Sequence, residues 1–500
     1  MRRVVCARPK RVALLLVCVA LSVRQSVGFE LFISRDRLTL QVEDVPLRQI
    51  LARFSHAGVR VMVDPFVHKQ VSARFDEVEM QEALDAMLQP FSYVLFWDVL
   101  DGPLGKMPRL AKIQVFMSGH RERVEPLERG PLRIRVSRGP DDRGPAFVQD
   151  EILLAVKPGT DLDAFRRLLA QIGGTLVESC PSLGVYRVRL PPGTNVLDLV
   201  AQLRGRPIIA AAEPNYVIRM QRPVRGAAAA SSPSADAAGL PRMDRARVAV
   251  LDTGLAENAG LGDLVIAGLD ALEPEQTLAD THGHGTQMAL IAAGLVTPSG
   301  LGAVSSGQAG PIISVRAFDD TGNGTVFGMM RSIEFAVANG ARVINLSWST
   351  ETDSQFFRDA VGFAQAQGAV VVAAAGNEPT GKPVFPASLL GVVGVAALGP
   401  DGTVWASSNH GAFIDLAAPG HAVIPASFGK SERGQYVGTS IASAFVTHAL
   451  ACYFAKYPEA GPVEALTALR AALSEAGPAG RDALYGSGAL DAAAVARLLK

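Results

Sequence analysis

Val248-Ala249-Val250-Leu251-Asp252-Thr253-Gly254 decides the fold of this 500-residue chain. Four apolar residues in an unbroken run read as a strand covered on both faces, the habit of parallel sheets flanked by helices. The run ends in an acid, at the carboxyl end of a strand, where α/β sheets place functional groups. From Arg245 onward strands and helices alternate, which predicts a mostly parallel sheet with helices on both faces. Val343-Ile344-Asn345-Leu346-Ser347-Trp348-Ser349 is another buried strand with a polar edge, and the apolar run 369–375 ends in Gly376-Asn377. An amide at that position can donate to an oxyanion, a contribution of about 3–4 kcal/mol.

Two glycine-flanked stretches open helices. Gly283-His284-Gly285-Thr286 leads into Leu290 and Ile291, and Gly438-Thr439-Ser440 leads into Phe445-Val446. At a helix N-terminus the unpaired backbone N–H groups favour developing negative charge, which suits a serine nucleophile at Ser440. Gly438 is expected to supply backbone angles and a close approach that a side chain would block. Among the eight histidines, His282 is the rival base, but it lacks the following Gly-Thr. Each signal alone also reads as a turn or a cap.

Asp252, His284, Asn377 and Ser440, each in its own motif and in that order, resemble the subtilisin-like serine proteases, whose triad runs Asp, His, Ser. Phe385-Pro386-Ala387-Ser388, Ala418-Pro419-Gly420 and Gly486-Ser487-Gly488-Ala489-Leu490-Asp491-Ala492 extend the likeness. The resemblance implies a subtilisin-like α/β domain over 244–500, with Ser440 as nucleophile, His284 as base, Asp252 orienting the imidazole and Asn377 in the oxyanion hole. It also implies that Leu346, Ser347 and Trp348 pair with an extended substrate, and that Ala374, Ala375 and Gly376 line a specificity pocket. Ile441 and Ala444 stand where the family usually has Met and Pro. Ser349 replaces a common glycine, and Trp348 is bulky for its place. Family members often bind calcium, but no run of oxygen ligands here names a site. The substrate class is protein or peptide, and the rival reading is an idle, subtilase-like binding protein.

Two small α+β modules precede this domain. Over 147–220 the order strand-helix-strand-strand-helix-strand suits a ferredoxin-like fold. Lys157-Pro158-Gly159-Thr160, Gly173-Gly174-Thr175 and Glu213-Pro214-Asn215-Tyr216 resemble the inhibitory propeptides of the same proteases. Over 29–125, Asp44 is expected to cap a helix through Leu47, Ile50, Leu51 and Phe54. A second helix from about Glu79 and a hairpin near 93–97 and 113–116 follow. Asp44-Val45-Pro46-Leu47, Val63-Asp64-Pro65 and Val78-Glu79-Met80-Gln81-Glu82-Ala83-Leu84 resemble the short N-terminal domain of secretins and TonB-dependent receptors, which implies docking on an envelope partner. Residues 126–146 read as a linker, and 221–243, rich in Ala, Ser and Pro, as a tether open to processing.

Residues 1–28 carry Arg2, Arg3, Arg8, Lys10 and Arg11 before a short apolar core, a signal-peptide pattern that implies export to the periplasm or beyond the cell. No later stretch is apolar enough for a membrane span. The 48 basic and 48 acidic residues give no support to a nucleic-acid partner. Cys180 and Cys452 fall in different modules, so no disulfide framework is expected.

Overall fold

The computed structural model describes residues 31–500 except 35–36, 57–58, 103, 128–133, 140–143, 221–223, 226–245, 258, 274–277, 300, 302–309 and 425–433. The signal pattern at 1–28 and most of the tether at 221–243 lie outside the described residues.

The first module has two small sheets. β1 (Leu31–Ser34), β2 (Arg37–Pro46) and, after helix α1 (Leu47–His56) and strand β3 (Arg60–Val63), β4 (Gln70–Glu79) form one antiparallel sheet in the order β1-β2-β4. Helix α2 (Met80–Leu88) and the long hairpin β5 (Ser92–Gly102) and β6 (Gly105–Phe116) follow, and β6 pairs with β3. Asp44 does not cap α1. It sits in a bulge of β2 at φ 52°, where its N–H donates to Ser72 Oγ. An extra residue in a strand takes up such left-handed angles, and Asp tolerates them. The stretch read as a linker carries two short strands, β7 (Glu125–Pro126) on β3 and β8 (Val136–Ser137) on the next module.

That module runs β9 (Phe147–Val156), α3 (Leu162–Gln171), β10 (Thr175–Cys180), β11 (Val185–Arg189), α4 (Val196–Arg204) and β12 (Ile209–Arg219). Its antiparallel strand order is β10-β11-β9-β12, the ferredoxin-like arrangement that the element order predicts. Asp161 and Asn195 cap α3 and α4 by accepting from Ala164 N and Asp198 N. The short strand β13 (Val224–Arg225) lies just beyond β12.

The large domain is built on seven parallel strands. In chain order its elements are β14 (Arg247–Asp252), β15 (Val265–Asp270), α5 (His284–Ala292), β16 (Ile312–Arg316), β17 (Asn323–Thr325), α6 (Val326–Ala338), β18 (Ala341–Leu346), α7 (Gln355–Ala366), β19 (Val370–Ala374), β20 (Val393–Leu398), β21 (Leu416–Pro419), β22 (His421–Ile424), β23 (Gly434–Val437), α8 (Thr439–Lys456), α9 (Pro462–Ala472) and α10 (Ala492–Leu498). The sheet order is β15-β16-β14-β18-β19-β20-β21. Alternation along β14 explains its apolar run. Val248 and Val250 pack into one core with Met288 of α5 and Phe445 of α8. Ala249 and Leu251 face the other, with Phe327 of α6 and Phe357 of α7. Both faces are therefore covered, and the four residues between Arg247 and Asp252 are all apolar.

The ferredoxin-like module packs on the α6–α7 layer. Cys180, Val185, Ile218 and Met220 join the same apolar cluster as Phe327 and Phe357. Its polar groups cap two helices there. Glu213 accepts from Ser354 Oγ at 2.6 Å and Gln355 N at 2.9 Å at the start of α7, while Asn215 Oδ1 accepts from Phe327 N at 3.2 Å at the start of α6. Glu178 pairs with Arg331, and Ser182 N donates to Glu334 of the same helix.

Candidate active site

Asp252 ends β14 at the sheet's carboxyl edge and is 1% exposed. His284 opens α5 and donates through Nδ1 to Asp252 Oδ1 at 2.7 Å. Thr253 N also donates to that oxygen, at 2.8 Å. His282 is not the partner. Its ring stands edge-on to His284, with centroids 6.4 Å apart. Gly285 allows the docking, because a Cβ there would come 2.5 Å from the Gly254 carbonyl oxygen and 2.9 Å from Thr253 N.

Burial by itself lowers the His284 pKa, but the Asp252 charge and hydrogen bond, with a further contribution from Asp280, raise it above the ordinary value. His284 Nε2 and Asp252 Oδ2 are buried and have no hydrogen-bond partner among the described residues. Nε2 is the atom a general base needs for a proton.

Asp280 was not singled out from the sequence, yet it ties the two loops together. Its Oδ1 accepts from Thr253 Oγ1, His282 N and Gly283 N at 2.7–3.1 Å, and its Oδ2 accepts from Thr286 N and Thr286 Oγ1. Thr253 Oγ1 in turn accepts from Gly285 N at 2.8 Å. One carboxylate thus takes up the Thr286 N–H in the first turn of α5 and the Gly283 N–H just before it, and fixes the Asp252 turn beside them. The visible signal was an acid four residues before the helix-opening histidine.

Ser440 is the second residue of α8. Its Oγ donates to the Ser347 carbonyl at 2.9 Å, and no hydrogen bond joins it to His284. Catalytic hydrogen bonds often close only when substrate is bound. A buried polar seam holds α8 to the end of β18. Asn345 Nδ2 donates to Ser347 Oγ at 2.6 Å, Ser347 Oγ donates to the Ser440 carbonyl at 3.2 Å, and Thr447 Oγ1 donates to Asn345 Oδ1 at 3.3 Å. Asn377 Oδ1 accepts from Thr439 N and Thr439 Oγ1, both at 3.0 Å, which fixes which end of the amide is the donor.

Gly438 meets its expectation in part. At φ 162° its backbone is extended, a conformation open to any residue. What calls for glycine is space, since a Cβ would lie 3.2 Å from Asn377 Nδ2.

All six expected substrate-contacting residues are buried. Leu346, Ser347, Trp348, Ala374 and Ala375 are each at most 2% exposed. Trp348 packs between Phe318 and Phe357 and donates Nε1 to the Leu251 carbonyl at 3.2 Å, so its bulk fills the core. Gly376 N donates to Thr439 Oγ1. An edge strand that sequence reading passed over, β17, pairs antiparallel with β12: Val217 with Thr325, Ile218 with Gly324 and Arg219 with Asn323. Met220 N extends the ladder to the Gly322 carbonyl. Farther along, Val224 and Arg225 pair with Val437 and Tyr436 of β23, directly before Gly438.

Among the described residues no group of three or more His, Cys, Asp and Glu could hold a metal ion. Neither Cys180 nor Cys452 forms a disulfide.

A seven-stranded parallel sheet with a buried His–Asp pair at its carboxyl edge and a serine at a helix start defines a class of serine hydrolase. Residues 244–488 match the subtilase family, and residues 138–215 match the fervidolysin N-terminal prodomain. A thermophilic serine proteinase of Bacillus sp. (strain AK1) is 30% identical over 320 residues, 60% of this chain and 77% of that one. Thermitase of Thermoactinomyces vulgaris is 34% identical over 202 residues, 40% of this chain and 72% of that one. In fold, the chain is similar to fervidolysin from Fervidobacterium pennivorans, with a TM-score of 0.58 and 22% identity, over 74% of this chain and 64% of that one. The chain belongs to the subtilase family: it is a subtilisin-like serine endopeptidase with a prodomain.

Proposed function

We propose that the chain is an exported precursor whose Asp252, His284 and Ser440 cut peptide bonds, its own first. Ser440 Oγ attacks the carbonyl carbon as His284 Nε2 takes its proton. Asn377 and the Ser440 N–H hold the oxyanion, and His284 then returns the proton to the leaving amine. Water repeats the sequence on the acyl-enzyme. Asp252 keeps the imidazole in the tautomer that leaves Nε2 open and stabilises the imidazolium. Export rests on the signal pattern of residues 1–28.

The observation that carries the reading is the path of the chain's own backbone. β12 lies on β17, and β13 lies on β23 immediately before Ser440, as an extended substrate adds a strand to an exposed edge. The prodomain accordingly occupies the cleft as an intramolecular inhibitor. Maturation falls in the 221–243 tether, and the flanking pairings favour its beginning, between Met220 and Val224. Substrate contacts along 346–348 and 374–376 are made by backbone, since the side chains there are buried. The module at 29–125, on its resemblance to secretin and TonB-receptor N-terminal domains, presents a face to an envelope partner.

Wild type beside Ser440→Ala is the test. Conversion of the 52.6 kDa precursor in wild type only supports the protease, with the new N-terminus read by mass spectrometry. An equally uncut pair overturns it in favour of an idle binding protein.

A further inference from the structure

The first module reaches into the prodomain. The tip of the β5–β6 hairpin delivers Met107, 6% exposed, into the apolar cluster that holds Phe147, Phe165 and Tyr186 of the ferredoxin-like module. Leu104 packs on the same cluster, and its N–H donates to Tyr186 Oη at 3.0 Å. Tyr186 is fully buried with its ring 4.7 Å from Phe165, so its hydroxyl needs a partner, and the hairpin supplies one. Arg109 adds a hydrogen bond from Nη1 to the Val177 carbonyl at 3.2 Å. The fit is tight: a Cβ on Gly102 would lie 2.6 Å from Tyr186 Cε1.

A module as small as 147–220 buries little surface by itself and is marginal for that reason. We propose that residues 31–127 are a clamp that completes the prodomain core, so that the inhibitor of this protease is built from two modules. Met107 fills the core from outside and Leu104 satisfies the buried phenol. The folded prodomain then presents β12, Glu213 and Asn215 to the catalytic domain. The clamp strengthens inhibition at a distance, through prodomain stability. Its inhibitory consequence rests on the protease reading above. The module contact does not.

Full-length Met107→Ala and Gly102→Ala test the clamp, with Trp97→Ala, on the exposed part of the hairpin, as control. After self-cleavage, the lag before peptide hydrolysis begins should shorten about tenfold in the first two, the cost of truncating a buried Met being ample for that. The control should match wild type. An unchanged lag in both variants overturns the proposal. A second readout uses Ser440→Ala chains, which need no activity. A specific protease site placed in 128–133 is cut, and the N-terminal fragment should stay bound to the remainder through size-exclusion chromatography. It should fall away when Met107→Ala is added. Release from the otherwise unaltered Ser440→Ala chain overturns the clamp, whether or not the chain proves to be a protease.

Discussion

His284 and Asp252 carry a tension between burial and charge. Burial favours the neutral imidazole, and the Asp252 and Asp280 carboxylates favour the imidazolium strongly enough to raise the pKa. A base must be neutral to accept a proton, so a raised pKa places the rising limb of kcat/KM above the pH of an ordinary histidine. Asp280→Asn removes one of the two carboxylates and mismatches the donors around it. The limb should move to lower pH, and kcat should fall by about ten- to a hundredfold through misplacement of His284. A pH–rate profile checks this, and an unmoved limb would show that Asp280 only caps the helix. Asn377→Ala should slow turnover by about a hundredfold or more with little change in KM.

At the scale of elements, the prodomain is attached through helix ends. α6 and α7 each begin with an N-terminal cap of their own, Thr325 and Ser354, and each then offers another open N–H to the prodomain. Glu213 meets α7 with a charge where the helix dipole favours one, and Asn215 meets α6 while its amide donates to Glu151 at 3.0 Å. Glu213→Ala leaves Gln355 N without its acceptor and should weaken prodomain binding by about 0.5–2 kcal/mol. The measurement is the inhibition constant of the released N-terminal part, both small modules together, toward the mature enzyme. An unaltered constant would place the affinity in the β12–β17 ladder and apolar contact instead.

For the whole molecule, the question is what lets the prodomain go. Burial pushes the Glu151 carboxyl up, but the charges and hydrogen bonds of Arg187 and Arg189 outweigh it and hold the pKa at about 2. The folded value lies below that of the unfolded chain, near 4.3. The network therefore stabilises the prodomain fully above the unfolded value and loses its contribution only as pH falls toward 2. Residues 147–220 contain no histidine to titrate at milder pH. The Ser440→Ala precursor, cut at an engineered site in 226–243, should stay associated from about pH 8 to pH 5. Size-exclusion chromatography reads this directly. Dissociation centred near pH 6 would mean that a histidine outside residues 147–220, in the first module or the catalytic domain, drives release.

Sequence by itself determined the sheet and the prodomain topology, because apolar runs, alternation and helix periodicity are local signals of burial. It also named Asp252, His284, Asn377 and Ser440, since each sits at the end of such an element and is framed by small residues. Tertiary structure decided what depends on residues far apart in sequence. Asp44 left its expected cap for a bulge because β4 lies beside it, and Trp348 turned to the core because Phe318 and Phe357 leave it a slot. Gly438 proved to be a matter of room beside Asn377 instead of backbone angle. Asp280 gained its role only when the Asp252 turn and α5 came together around it. The pairing of β17 with β12 was likewise invisible in one dimension, because it joins residues 217–219 to 323–325, about a hundred positions away.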